Sequence, residues 1–479
     1  MTAKQDIIKY IHAKQQETRI LSKRHTTHIK NRRHDYENIK KHVDNFISEE
    51  NEYYNRCIMM PGLRGVGKTT ILYQIYEYLT KEKNIPERNI LYLDVHELKQ
   101  TYDEDIQSIF ETYLEDIHQT TLVNLEEKVF FIIDEAQNDE NWANYAKILF
   151  DKSFNVFSIF TGSSALDLEI NTDAARRIAR KPIFPCSFQE YILLKYELDL
   201  SMNNFKDLIL KGDENTINKA IECENTINHE LIQINNNPEI EFKKFLHSQS
   251  LPFALNMDEI STHRYTNDII EKIVTTDLKS FYSFNNGTDK IIMRIVNYLA
   301  TKKPGKTSTS AIAQSNNINV KTATTILSSL EKAQLIFSVD AYGSAGKMLK
   351  KPSQHFFLTP SLKSSLNYRI GRYDLNHDKC YATLVENQVA SSLHKLSSQR
   401  PESLGLFYDG EKKGVDFLVK HMDRKIPVEV GIGKKTKSQL TRAMNRYGSD
   451  YGILVSNRTS GIEFKRNILY IPIMTFALI

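Results

Sequence analysis

Gly62-Leu63-Arg64-Gly65-Val66-Gly67-Lys68-Thr69 has the spacing G-x-x-x-x-G-K-[ST]. Glycines at these positions let backbone N–H groups turn inward around a phosphate, the lysine reaches the β and γ oxygens, and the threonine offers a hydroxyl to magnesium. About 66 residues after Lys68, the apolar run Val129-Phe130-Phe131-Ile132-Ile133 ends in Asp134-Glu135. Two carboxylates at the end of a buried strand suit divided labour, with Asp134 holding the magnesium shell and Glu135 polarising the attacking water. A further apolar run ends in Thr161-Gly162-Ser163-Ser164, a small polar cluster placed to contact the γ-phosphate, with a simple turn as the alternative. Arg176, Arg177 and Arg180 follow, and an arginine such as Arg177 could stabilise phosphoryl-transfer charge from a neighbouring copy, which would require a homo-oligomer.

The elements that position these residues are short apolar runs at Cys57–Pro61, Ile90–Val95, Val129–Ile133 and Val156–Phe160, alternating with helical stretches. That is the βα alternation of a parallel sheet covered on both faces. Gly62 to Thr69 falls between the first run and an amphipathic helix, where a phosphate-binding loop belongs. The nucleotide-binding set is Gly62, Gly65, Gly67, Lys68, Thr69, Thr70 and Ser163, and the expected ligands are ATP and Mg2+.

These residues, together with Arg177 and Pro185-Cys186-Ser187-Phe188-Gln189-Glu190-Tyr191, resemble the bacterial and archaeal AAA-type ATPases that carry a winged helix and a restriction-endonuclease-like C-terminal domain. The resemblance runs over most of the chain. It implies an α/β fold: an AAA-like P-loop domain with a parallel sheet, then a helical and winged-helix part, then a small α/β domain of the PD-(D/E)xK type. The corresponding division is a basic helical arm at 1–50, a P-loop core at 51–199, a helical insertion at 200–287, a winged helix at 288–365 and the nuclease-like domain at 370–479.

Local patterns carry the same outline. Glu-Asn-Thr-Ile-Asn stands at 214–218 and again at 224–228, and two copies are too few for a solenoid. Between 288 and 360 a helix near Ile291–Ala300, a short one near Ser310–Gln314 and a longer one from Asn319 precede strands at Leu335–Val339 and His355–Leu358. Exposed Lys321 suits a groove contact and Lys347 a backbone contact from the wing. In the last part Glu386, Asp416 and Glu429 stand where nuclease acids that hold a metal would stand, but Gly431 occupies the position of the usual lysine. Lys434 is the candidate to replace it, or to contact a phosphate backbone.

At 479 residues, with about 150 per domain, roughly three domains are expected. Apolar residues at 41% and charged residues at 25% match globular usage, and no run approaches the ~18 apolar residues of a membrane span. The polar amino terminus shows no signal peptide, so cytoplasmic residence is expected. Cys57, Cys186, Cys223 and Cys380 lack CxxC pairing and read as buried, reduced thiols. The net charge of +4 is uneven: between Lys4 and Lys41 eleven basic residues face only Asp6, Glu17, Asp35 and Glu37. Arg24, Arg32 and Arg33 of this arm are therefore expected to follow nucleic-acid phosphates. The leading expectation is an ATP-driven switch acting on nucleic acid, with DNA as the favoured partner. An ATP-gated, metal-dependent nuclease is the runner-up, and an ATPase scaffold for a protein partner is the third reading.

Overall fold

The computed structural model describes residues 2–48, 55–163, 174–201, 205–234, 237–278, 287–303, 308–344, 346, 351–372, 378–431 and 437–479. It divides into two compact units, Met1–Phe184 and Pro185–Ile479.

The first unit is built on a five-stranded sheet of β1 (Cys57–Pro61), β2 (Ile90–Asp94), β3 (Val129–Asp134), β4 (Val156–Gly162) and β5 (Ala179–Arg180), in the order β2-β3-β4-β1-β5. Every pair is parallel. All residues of β1, β3 and β4 are buried, as near-continuous apolar strands covered on both faces must be. The four expected strands are present; β5, two residues long, has no apolar run to announce it. Parallel pairing puts the C-terminal ends of β1, β3 and β4 on one edge, so Pro61, Asp134 and Gly162 open into the same crevice.

The Thr2–Thr26 helix belongs to this unit. Its Ile7, Tyr10 and Ile11 enter the core beside Leu91, Leu93 and Phe131. Lys14 is buried with them and reaches Glu97 at 2.5 Å and Glu17 at 2.8 Å. The His34–Ile47 helix follows, burying Tyr36, Ile39 and Val43 at helical spacing.

The second unit holds helices and one eight-stranded mixed sheet. Both Glu-Asn-Thr-Ile-Asn copies lie on a single helix, Glu214–Ile232, started by the Asp213 side chain. The helices Thr288–Thr301, Thr309–Ser315 and Val320–Lys332 come next, the last capped by Asn319, whose side chain accepts the Thr322 N–H at 2.7 Å. Its Ala323, Ile326, Leu327 and Leu330 are buried while Lys321 and Thr324 are exposed. Strands β6 (Ile336–Ala341) and β7 (Gln354–Phe357) pair antiparallel as a hairpin.

The remaining strands are β8 (Leu404–Tyr408), β9 (Phe417–His421), β10 (Arg424–Gly431), β11 (Gly452–Ser456), β12 (Glu463–Lys465) and β13 (Ile468–Pro472). They join the hairpin in the order β12-β13-β11-β10-β9-β8-β6-β7. The junction is a parallel step of Asp340 beside Phe407 and Ala341 beside Tyr408. Among the described residues no helix is long and apolar enough to cross a membrane. The four cysteines are free; Cys57 and Cys186 are buried, whereas Cys223 and Cys380 are half-buried.

Candidate active site

The loop after β1 is shaped by backbone geometry that its sequence makes possible. Gly65 and Gly67 have φ of 83° and 92°, the left-handed region that glycine enters without a Cβ penalty. Gly62 is needed for a different reason: a Cβ there would stand 2.6 Å from the Ile183 carbonyl oxygen. The Lys68–Glu77 helix starts directly at the loop, so its N-terminal N–H groups and partial positive charge face the crevice. Lys68 is buried, its ammonium donating to Gly62 O at 2.8 Å and Leu63 O at 3.2 Å. Those carbonyls hold the cation over the loop that a phosphate would fill. Thr70 is half-buried in the same first turn, and Ser163 is buried one residue beyond β4.

Asp134 is the electrostatic centre. The Thr69 hydroxyl donates to Oδ2 at 2.6 Å, Tyr92 OH donates to the same oxygen at 3.3 Å, and the Thr161 hydroxyl donates to Oδ1. Burial raises the Asp134 pKa and the neighbouring Glu135 charge adds to the rise, while the Thr161 and Thr69 hydroxyls and the Lys68 ammonium oppose it. Glu135 has φ 53°, in the left-handed region, and its backbone N–H donates to Asp134 Oδ1 at 3.1 Å. A glutamate in this conformation carries strain of about 1 kcal/mol or more. Gln137 donates to Glu135 Oε2 at 2.5 Å and orients it.

Tyr92 has no sequence signal as a site residue. Tyr92 is one hydroxyl in an apolar strand, and only the register that sets Tyr92 beside Ile132 and Asp94 beside Asp134 brings it in.

Arg33 corrects a sequence expectation. It is 5% exposed, and its guanidinium donates to Val66 O at 2.6 Å and Phe184 O at 2.8 Å and pairs with Asp35 at 3.0 Å. It braces the phosphate loop from below and is withdrawn from any nucleic-acid backbone. Arg32 stacks on Tyr36 and pairs with Glu82 at 3.3 Å, and Arg24 is exposed. Arg177 pairs with Asp151 at 2.6 Å. Because Ala179 stands beside Ile58 in a parallel pair, Arg177 lies toward the strand-start edge, away from its own phosphate loop.

In the second unit Asp416 and Glu429 are neighbours across β9 and β10. The Asp416 N–H donates to Glu429 Oε2 at 3.3 Å and the Val430 N–H donates to Asp416 Oδ2 at 2.8 Å. Glu386, on the Asp378–Gln399 helix, instead faces Lys303 at 3.4 Å. Among the described residues no three His, Cys, Asp or Glu side chains gather as a metal cage, so the expectation that Glu386 completes a shell with the other two is not met. Lys347 and Lys434 lie outside the described residues.

Comparison with known proteins gives a consistent assignment. A family described as an AAA domain matches residues 54–192, and a domain of unknown function (DUF4143) matches residues 381–476. The uncharacterized protein MJ1637 of Methanocaldococcus jannaschii is 32% identical over 450 residues, spanning 94% of this chain and 89% of the relative. An uncharacterized protein of Haemophilus influenzae is 24% identical over 382 residues, spanning 78% and 82%. Among solved structures, the Walker-type ATPase paby2304 of Pyrococcus abyssi superposes with a TM-score of 0.39 at 13% identity, covering 67% of this chain and 94% of that one. With a phosphate loop, an acidic strand end and a relative alike over nearly its whole length, the chain belongs to the family of MJ1637 and carries an AAA-type P-loop ATPase domain over residues 54–192.

Proposed function

We propose that the chain is a magnesium-dependent ATPase whose turnover switches a second unit that binds nucleic acid. The observation that carries the reading is the hydrogen bond from Thr69 to Asp134: a hydroxyl and a carboxylate, both hard oxygen donors, meet where the phosphate loop ends. This donor set fits magnesium: Thr69 and Asp134 would hold the ion, which would supply positive charge against the phosphates. Lys68 would exchange its loop carbonyls for the β and γ oxygens. Glu135, oriented by Gln137, would accept the proton of the attacking water at its carboxylate, and the loop N–H groups would hold the phosphates. Arg177 would act on the site of a neighbouring copy in a homo-oligomer, a role consistent with its distance from its own phosphate loop.

The nucleic-acid half of the reading is supported by the three helices and hairpin from Thr288 to Phe357, which have the order of a winged helix. Lys321 and Thr324 stand exposed on its third helix. The Asp416 and Glu429 pair supports likeness to a PD-(D/E)xK core. Gly431 in the lysine position and the diversion of Glu386 to Lys303 favour binding over cleavage.

The test is ATP turnover by the purified full chain, with magnesium or with a chelator, and with duplex DNA, single-stranded DNA or RNA. Turnover abolished by the chelator and altered severalfold by one nucleic acid is the expected result. Turnover indifferent to all three, with no binding at low salt, would overturn the nucleic-acid half and leave a protein partner.

A further inference from the structure

The second unit contains a cavity of about 630 Å³ whose lining, among the described residues, includes Lys302, Lys303, Lys363, Arg372 and Lys379 and one carboxylate, Glu386. Five cations around so small a space repel one another, and Glu386 is already engaged with Lys303 at 3.4 Å. Four of the cations are exposed, but Lys363, on the Pro360–Arg369 helix, is 2% exposed. Its ammonium donates to Lys302 O at 2.7 Å, whereas a lysine carries three N–H donors. Asn367, one turn along, donates to Lys363 O at 3.0 Å and Ala300 O at 3.1 Å, tying this helix to the end of the Thr288–Thr301 helix. Burial lowers the Lys363 pKa to about 8, partly offset by the Glu386 charge. Burying a lysine without a full set of acceptors is costly, and an anion in the cavity supplies both acceptors and countercharge.

We propose that this cavity is a phosphate-binding site in which Lys363 forms the floor and Lys302, Lys303, Arg372 and Lys379 form the rim. The ligand is a phosphate group carried by a small polyphosphate or by a nucleic-acid strand. Only the second source rests on the nucleic-acid reading given above.

Two probes distinguish the sources: inorganic tripolyphosphate, and a labelled oligodeoxynucleotide without a terminal phosphate. Both are titrated into the full chain carrying Lys68→Ala, so that the loop after β1 does not take up the tripolyphosphate. Replacing Lys303, Arg372 and Lys379 together by alanine, all exposed positions, should lower affinity for at least one probe by about tenfold or more. For the oligonucleotide the log–log salt slope should also flatten by about 0.7 per lost contact. Lys412, Lys413 and Lys420, exposed cations elsewhere in the same unit, give a control of equal charge change that should leave the affected probe's affinity within about twofold. Lys363→Met should weaken the same probe severalfold.

Loss of tripolyphosphate binding alone assigns a small polyphosphate, and loss of oligonucleotide binding assigns a strand. Oligonucleotide binding that survives all cavity variants, with no tripolyphosphate binding, would overturn the cavity site while leaving the nucleic-acid reading intact. A control triple that loses as much as the cavity triple, or neither probe binding the starting chain, would also overturn the site.

Discussion

The Thr69 hydroxyl lies 2.6 Å from Asp134 Oδ2, joining the end of the phosphate loop to the end of β3. Thr161 and Tyr92 donate to the same carboxylate, so its orientation is fixed before any ligand arrives. Asp134→Asn keeps the shape and removes the charge. It should raise the magnesium concentration for half-maximal turnover by about tenfold or more, read from ATPase titrations. An unchanged magnesium requirement in this variant would remove Asp134 from the metal shell.

Glu135 and Lys68 should fail differently. Glu135→Gln keeps the side-chain volume and the contact with Gln137 but cannot accept a proton. Nucleotide binding should therefore persist while turnover falls by about 10² to 10⁴. Lys68→Ala should instead weaken binding itself, since its buried ammonium is held over the loop by the Gly62 carbonyl. Nucleotide titration and single-turnover kinetics separate the two, and wild-type turnover by Glu135→Gln would contradict the base assignment.

What could be read from the residues follows a physical line. β1 to β4 were legible because fully buried parallel strands must be runs of apolar residues, and the phosphate loop was legible because its glycines answer a backbone requirement. Arg33 was misread because the charge of a side chain does not say whether it faces solvent. Its burial depends on carbonyls of Val66 and Phe184, the second of them 151 positions away. The Asp340 to Phe407 junction that merges the hairpin into the larger sheet is likewise long-range pairing with no local pattern. Glu386 sits in the helix where it was sought, yet its partner, Lys303, comes from a segment that the acid motif does not mention.

Arg33 and Arg24 should now separate into structure and surface. Arg33→Ala leaves Asp35 and two carbonyls without a buried guanidinium, and should destabilise the first unit by about 3 kcal/mol or more. Arg24→Ala, at an exposed position, should change stability by less than about 0.5 kcal/mol. Denaturant unfolding followed by a probe in the first unit distinguishes them; equal stability of the Arg33 variant and the parent would refute the bracing role.

His247 should make the second unit acid-sensitive. It is 3% exposed near the Ser364 hydroxyl, and its pKa is lowered to about 4 by burial, with the neighbouring His263 and Lys243 charges adding to the shift. The unfolded chain titrates this group near 6.5, so between those values the unfolded state binds the extra proton. Stability is fully present above about pH 6.5 and falls as pH drops toward 4, by up to ~1.4 kcal/mol per pH unit. Because a chain of two units need not unfold in one step, amide hydrogen exchange at Phe245 and Leu246 is the suitable readout. After correction for intrinsic exchange, their protection should fall by up to about tenfold per pH unit below 6.5. In His247→Gln the fall should be shallower, retaining only what other groups contribute. His263, also lowered by burial and opposed by Glu259, remains in that variant and sets the residual slope. Parallel pH profiles for the two proteins would show that His247 does not carry the effect.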